Sequence, residues 1–178
     1  IFRDESASYK VEPGTYYIRF APWTSGGYWS EEKINLIVEL LEEDEFENND
    51  VALKAKELKI NSNNKFTINA ENDVDWFKVK VNRAGSLKVK VSGGAGLDYK
   101  LYKESEINNS NPSYIYNNNI FRDESASYKV EPGTYYIRFA PWTSGGYWSE
   151  EYINLSINLL DEYDYSGNTS WKNAGIIT

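Results

Sequence analysis

The chain has 178 residues, 40% of them hydrophobic and 16% aromatic, with a net charge of −8 and a pI near 4.7. That apolar content can build one ordinary domain with flanking pieces, and the acidic balance disfavours nucleic acid or an anionic membrane surface as a partner. His, Cys and Met are all absent, which excludes imidazole bases, thiol nucleophiles, thiolate zinc sites and disulfides.

From the first residue the chain is half of a repeat. Residues 1–32 recur unchanged at 120–151, so residue 1 returns at an offset of 119, and "INLIVELLEEDEFENND" at 34–50 is echoed by "INLSINLLDEYDYSGNT" at 153–169. A period of that size is a domain, not a solenoid unit of roughly 20 to 50 residues. The frame this predicts is a window on a tandem array. Residues 1–43 are the final strands of one repeat, 44–162 a complete repeat and 163–178 the start of another. Segment 44–119 has two equivalent completions, 120–162 in direct order or 1–43 as a circular permutant. The unused copy offers unpaired strands to neighbouring repeats or copies of the chain, by strand exchange or end-to-end contact.

Next comes "EEDEFENND" at 42–50, the densest charge cluster, and then "ENDVDW" at 71–76. Carboxylates two apart in extended chain point the same way, so Asp73 and Asp75, with an amide oxygen added, can form an oxygen cage for a hard cation. A solvated acidic linker is the other reading.

Alternation with period two dominates the chain from residue 75 onward, and no stretch sustains a helical period. "DWFKVKVN" places Phe77, Val79 and Val81 inward, and "SLKVKVS" does the same for Leu87, Val89 and Val91. "GTYYIRFA" turns Tyr135, Ile137 and Phe139 inward, and "YINLSINLL" turns Ile153, Leu155, Ile157 and Leu159. Turn signals at 61–64, 82–85, 92–96, 131–133 and 143–146 separate them, and 106–119 reads as a long Asn-rich surface loop containing one short strand. About eight short strands in one repeat predict an all-β fold, an antiparallel two-sheet β-sandwich of jelly-roll type. The outward Lys78, Lys80, Lys88 and Lys90 form a basic stripe on adjacent strands. It is read as a solvated face or a dock for an acidic hinge or polymer.

"APWTSGGYWSEE", at 21–32 and 140–151, reads as the tip of a hairpin with Trp142, Tyr147 and Trp148 clustered around it. These rings either close the open end of the sandwich or, with outward Tyr136 and Tyr152, form a flat surface for stacking on sugars or on an extended protein. The first copy has Lys33 in place of Tyr152.

"EFENNDVALKA" at 45–55, "DVDWFKV" at 73–79 and "PGTYYI" at 132–137, in this order, resemble the bacterial pre-peptidase C-terminal domain, a group that includes the collagen-binding domains of clostridial collagenases. The resemblance implies a secreted jelly-roll sandwich appended to larger extracellular proteins, without catalysis of its own. It also implies calcium, carried by motif match onto Glu45, Glu47, Asn49, Asp50, Asp73 and Asp75. Asn48 departs from the proline common in the family. At 164–169 the corresponding Asp164, Ser166, Asn168 and Thr169 have lost most carboxylates, which argues against a second equivalent site.

Three functions are expected to different degrees. The first is a non-catalytic, calcium-stiffened structural or adhesive repeat of a secreted or surface-attached bacterial protein, in a stalk or filament. The second is a collagen- or polysaccharide-binding accessory domain of an extracellular hydrolase. The third, an enzyme, is disfavoured: a carboxylate pair such as Glu150 with Asp164 lacks a cleft, and no Ser has a His partner. No apolar run reaches the ~20 residues of a membrane span, so no membrane insertion is expected.

Overall fold

Period-two alternation needs a partner on each edge before it becomes a sheet, and the computed structural model gives those partners to the second copy of the repeat. It describes residues 7–21, 33–93, 96–120, 123–142 and 149–161. Among the described residues there are nine strands: β1 (Lys56–Leu58), β2 (Ser62–Ile68), β3 (Asp75–Val81), β4 (Gly85–Ser92), β5 (Leu97–Lys103), β6 (Tyr116–Ile120), β7 (Glu124–Val130), β8 (Gly133–Pro141) and β9 (Ser149–Leu160). They form a five-stranded sheet in the order β1-β3-β8-β5-β6 and a four-stranded sheet in the order β2-β9-β4-β7. Among these strands every pairing is antiparallel except β1 with β3.

The inward rows interdigitate between the sheets as the alternation predicts. Phe77, Val79 and Val81 of β3, Leu87, Val89 and Val91 of β4, Tyr135, Ile137 and Phe139 of β8, and Ile153, Leu155 and Ile157 of β9 all lie in one buried cluster. Rings knit its centre. Phe66 meets Phe77 edge-on at 5.1 Å, and Tyr99 stacks on Phe139 at 5.2 Å. At one end Tyr116 sits between Tyr99 and Tyr128 and bonds through its hydroxyl to Glu124.

Three expectations are corrected by the topology. Consecutive strands β3 and β4 belong to different sheets, so the lysine stripe is split, with Lys78 and Lys80 on one outer face and Lys88 and Lys90 on the other. β8 and β9 are not hairpin partners: β8 pairs with β3 and β5, and β9 with β2 and β4. Tyr136 and Tyr152 therefore stand on opposite sheets and share no platform. Alternation states which side chains face inward, but it carries no information on which sheet a strand joins.

The first copy behaves differently from its twin. Residues 7–21 and 33–43 contain no strand, and Tyr16, Ile18, Phe20, Ile34 and Leu36 are exposed where their equivalents Tyr135, Ile137, Phe139, Ile153 and Leu155 are buried. Identical sequence has identical propensity, so the difference comes from partners. The slots beside β3, β5, β2 and β4 are already taken by β8 and β9.

β4 begins at a close backbone approach to β9. A Cβ built on Gly85 would lie 2.5 Å from the Leu160 carbonyl oxygen and 3.1 Å from Leu159 Cδ1. Gly85→Ala should therefore lower stability by about 1–3 kcal/mol, as overpacking does, and urea denaturation of the variant against the parent chain measures it.

Candidate metal centre

The acidic linker is fastened to the sandwich by side chains before any ion is considered. Asp44 accepts hydrogen bonds from the Phe46 N–H at 2.8 Å and from the Thr67 N–H at 2.6 Å, which ties the linker to β2. Phe46 then turns its ring edge-on to Phe77, 5.4 Å away, reaching the core. Asn49 is fully buried beside the start of β3: its carbonyl accepts the Trp76 N–H at 3.0 Å, and its Nδ2 donates to the Trp76 carbonyl at 3.3 Å.

These anchors bring the linker's carboxylates against those of 73–75. Asp75 is the first residue of β3 and lies on the same inward row as Phe77, which buries it completely. Asp73, two residues earlier, is 1% exposed; its Oδ2 accepts the Asn69 N–H at 3.1 Å. Oxygens of Glu47, Asp50 and Asp73 converge to within 4.8 Å of one another. Of the six residues expected to form the site, Glu47, Asp50 and Asp73 converge, and the buried Asn49 and Asp75 adjoin them at the start of β3. Glu45 is exposed and outside the convergence.

Two further residues belong to the neighbourhood without any sequence signal for it. In a run of acids, nothing local marks Asp44 as the one that will cap a strand. Lys10 comes from the first copy of the repeat. Its Nζ lies 2.5 Å from Glu47 Oε2, 2.9 Å from Asp50 Oδ1 and 3.6 Å from Asp73 Oδ1. Its environment is equally silent, since the identical Lys129 lies on the exposed face of β7.

The electrostatics are unbalanced at the buried end. Both carboxylate oxygens of Asp75, with Asp73 Oδ1 and Asn49 Oδ1, are buried without a hydrogen-bond partner. Burial, followed by repulsion from Asp73, Asp44 and Glu47, pushes the Asp75 carboxyl from its ordinary 3.8 up to about 9, with Asn49 pulling the other way. Burial also raises Asp73 and Glu47, against the opposing pull of hydrogen bonds and of Lys10. Lys10 is itself raised: its own burial lowers it, and hydrogen bonds to Glu47 and Asp50 outweigh that loss. One ammonium thus serves three carboxylates and leaves Asp75 uncompensated.

A hard cation fits this donor set. Carboxylates and an amide oxygen are the ligands calcium takes, and orphaned buried oxygens are what an ion would satisfy. When bound, the ion would supply positive charge that lets the carboxylates ionise together.

Among the described aromatic residues expected to form a surface, Tyr136 and Tyr152 lie on different sheets. Tyr136 stands on the outer face of the five-stranded sheet, opposite Tyr102, and Tyr152 is 60% exposed on the four-stranded sheet. Trp142 follows β8, its N–H donating to the Gly96 carbonyl at 2.7 Å. Tyr147 and Trp148 lie outside the described residues, as do Asp164, Ser166, Asn168 and Thr169.

The model of the bacterial pre-peptidase C-terminal domain matches residues 73–140, from the Asp73–Asp75 pair to the end of β8, which bears out the resemblance seen in the motifs. Among solved structures, the chain is similar to the pre-peptidase C-terminal domain of collagenase from Bacillus anthracis. That alignment has 19% identity and a TM-score of 0.47, covering 58% of this chain and 94% of that one. It is also similar to periplasmic inhibitors of g-type lysozyme from Aeromonas hydrophila (12%, TM-score 0.38) and Salmonella Typhimurium (16%, TM-score 0.36), each covering 58% of this chain and 99% of the inhibitor. No curated protein matches the chain. Domains of the matched family are typically non-catalytic accessory domains of secreted extracellular proteases and collagenases. Among the described residues no helix is long and apolar enough to cross a membrane.

The direction of the Asp75 shift fixes a pH dependence. The native state holds that proton more tightly than the unfolded chain, so its contribution to stability is complete below pH 3.8 and is lost as pH rises through about 9. In chelator the melting temperature should fall across this window, and Asp75→Asn should flatten the fall. A variant whose pH profile retains the full slope would place the titration elsewhere.

Proposed function

We propose that the chain is a non-catalytic extracellular β-sandwich in which calcium ties the acidic linker to the start of β3 and so stiffens the junction between units of a stalk or filament. The observation that carries this reading is the Asp75 carboxylate, wholly buried with neither oxygen partnered. A solvated acidic linker, the other sequence reading, does not account for a carboxylate on the inward row of a strand. Near neutral pH such a group needs either a proton or a cation, and Asp73, Glu47, Asp50 and Asn49 supply the further oxygens a cation requires. Calcium suits an irregular, oxygen-only donor set better than magnesium, which demands a near-octahedral cage.

The partner expected from the repeat is a second unit of the same kind. The exposed Tyr16, Ile18, Phe20, Ile34 and Leu36 match side chains that are buried in β8 and β9, and burying each would contribute about 1.5–3 kcal/mol. A segment like 44–119, in a neighbouring repeat or another copy of the chain, is the surface these rows are patterned for. This favours an array-forming module over a solitary one.

A second reading, an accessory module gripping collagen-like protein or polysaccharide, is favoured by the outer face of the five-stranded sheet. There Trp76 stacks on Tyr102 at 5.6 Å, and Tyr114 meets Tyr102 edge-on at 6.5 Å. Tyr136, opposite Tyr102 in register, adjoins this group. Tyr136→Ala with an unchanged melt should weaken retention on collagen- or polysaccharide-coated surfaces; equal retention removes this reading.

Calcium at roughly tenfold excess over its dissociation constant should add about 1.4 kcal/mol of stability. Thermal melts of the chain with calcium and with chelator measure this, and Asp75→Asn and Glu47→Gln should each abolish the difference. A melt indifferent to calcium in the parent chain would defeat the proposal.

A further inference from the structure

Lys10 and a metal ion make the same demand on the same oxygens. Its Nζ is 2.5 Å from Glu47 Oε2, 2.9 Å from Asp50 Oδ1 and 3.6 Å from Asp73 Oδ1, and these are the three residues whose carboxylate oxygens converge to within 4.8 Å of one another. The ammonium therefore stands within the space those oxygens enclose. No second cation fits there while it remains.

The lysine does not arrive alone. The Glu71 N–H donates to the Ser8 carbonyl at 3.0 Å, the Lys10 N–H donates to Asn72 Oδ1 at 2.8 Å, and Asn72 Nδ2 returns a bond to the Lys10 carbonyl at 3.4 Å. Residues 8–10 are thus bonded along 71–72, immediately before the Asp73–Asp75 pair. The lysine's side chain is 15% exposed, although its twin Lys129 occupies the exposed face of β7.

The lysine nevertheless leaves the cluster incomplete. It reaches Glu47, Asp50 and Asp73, while Asp75 keeps two unpartnered buried oxygens. A single positive charge on a four-carbon stem brings three rotatable donors and no second charge. A divalent ion brings twice the charge to the same oxygens without a tether.

We propose that the first-copy segment is an intramolecular competitor for the cation: Lys10 latches residues 8–10 onto the acidic cluster, and a divalent ion displaces it. This rests on the calcium reading of the site. Two ligands that exclude each other at one site are negatively coupled, and the coupling is reciprocal. Removing the ammonium should tighten the ion, and adding the ion should free the segment. Release would also untether the already exposed strand-patterned residues after Lys10, leaving them freer to join a neighbouring unit.

The test is calcium titration by calorimetry on the full chain, on Lys10→Gln and on Lys33→Gln, an exposed control with the same loss of charge. Lys10→Gln should bind calcium about fivefold or more tightly than the parent, at the lower end of coupling between mutually exclusive ligands, while Lys33→Gln should match the parent. In the parent chain calcium should speed hydrogen exchange at the Lys10 and Glu71 amides, which are tied only through the latch. Equal affinity in Lys10→Gln and the parent, or slower exchange at those amides, overturns the latch and leaves the calcium site standing. Absence of calcium binding in all three overturns both.

Discussion

A carboxylate on the core-facing row of a strand is the constraint around which this site is organised. Asp75 shares its row with Phe77, Val79 and Val81, so the pattern that builds β3 also carries an ionisable group into the interior. Burying an unpaired charge is costly enough that a protein ordinarily neutralises it with a proton or a partner. The surrounding charges supply the opposite of a partner: Asp73, Asp44 and Glu47 all raise the carboxyl further, and Asn49 alone pulls it down. That arrangement is unfavourable for a bare sandwich and favourable for one that holds a cation. The linker is involved because three of the candidate ligands, Glu47, Asn49 and Asp50, are on it, placed by Asp44 and Phe46.

The duplicated segment separates what sequence determines from what context determines. Thirty-two residues are identical between the copies, and Ile137, buried in β8, is chemically the same residue as the exposed Ile18. A strand's inward row has meaning only against a second sheet, and its edges only beside other strands. Deprived of both, the first copy contributes something else, a lysine to an acidic cluster. Propensity did not change between the copies; the available partners did.

The same distinction decides what is legible in the sequence. Inward rows such as Leu87, Val89 and Val91 are legible because parity is a local property of extended chain. The assignment of β3 and β4 to different sheets is not, since it depends on the course of a turn, and this is why the lysine stripe and the shared Tyr136–Tyr152 platform dissolve in the fold. Strand β1 and its parallel pairing escape a reading by pattern because three residues carry too little alternation. At the site, Asp73 and Asp75 are visible as a pair two apart, while Glu45 matches by motif and lies outside the cluster. Lys10 has no readable signal, because its backbone bond to Asn72 spans more than sixty residues and its twin does something different.

What neutralises Asp75 is the central question, and diffraction from crystals grown with calcium asks it most directly. The expected result is ion density about 2.3–2.6 Å from Asp75 and its neighbouring oxygens, the distance range of calcium–oxygen ligation, with Asp73 and linker residues in the same coordination shell. Density that instead shows Asp75 hydrogen-bonded as a neutral acid, with no ion beside it, would contradict the calcium-held junction and leave the linker fastened by Asp44, Phe46, Asn49 and Lys10 alone.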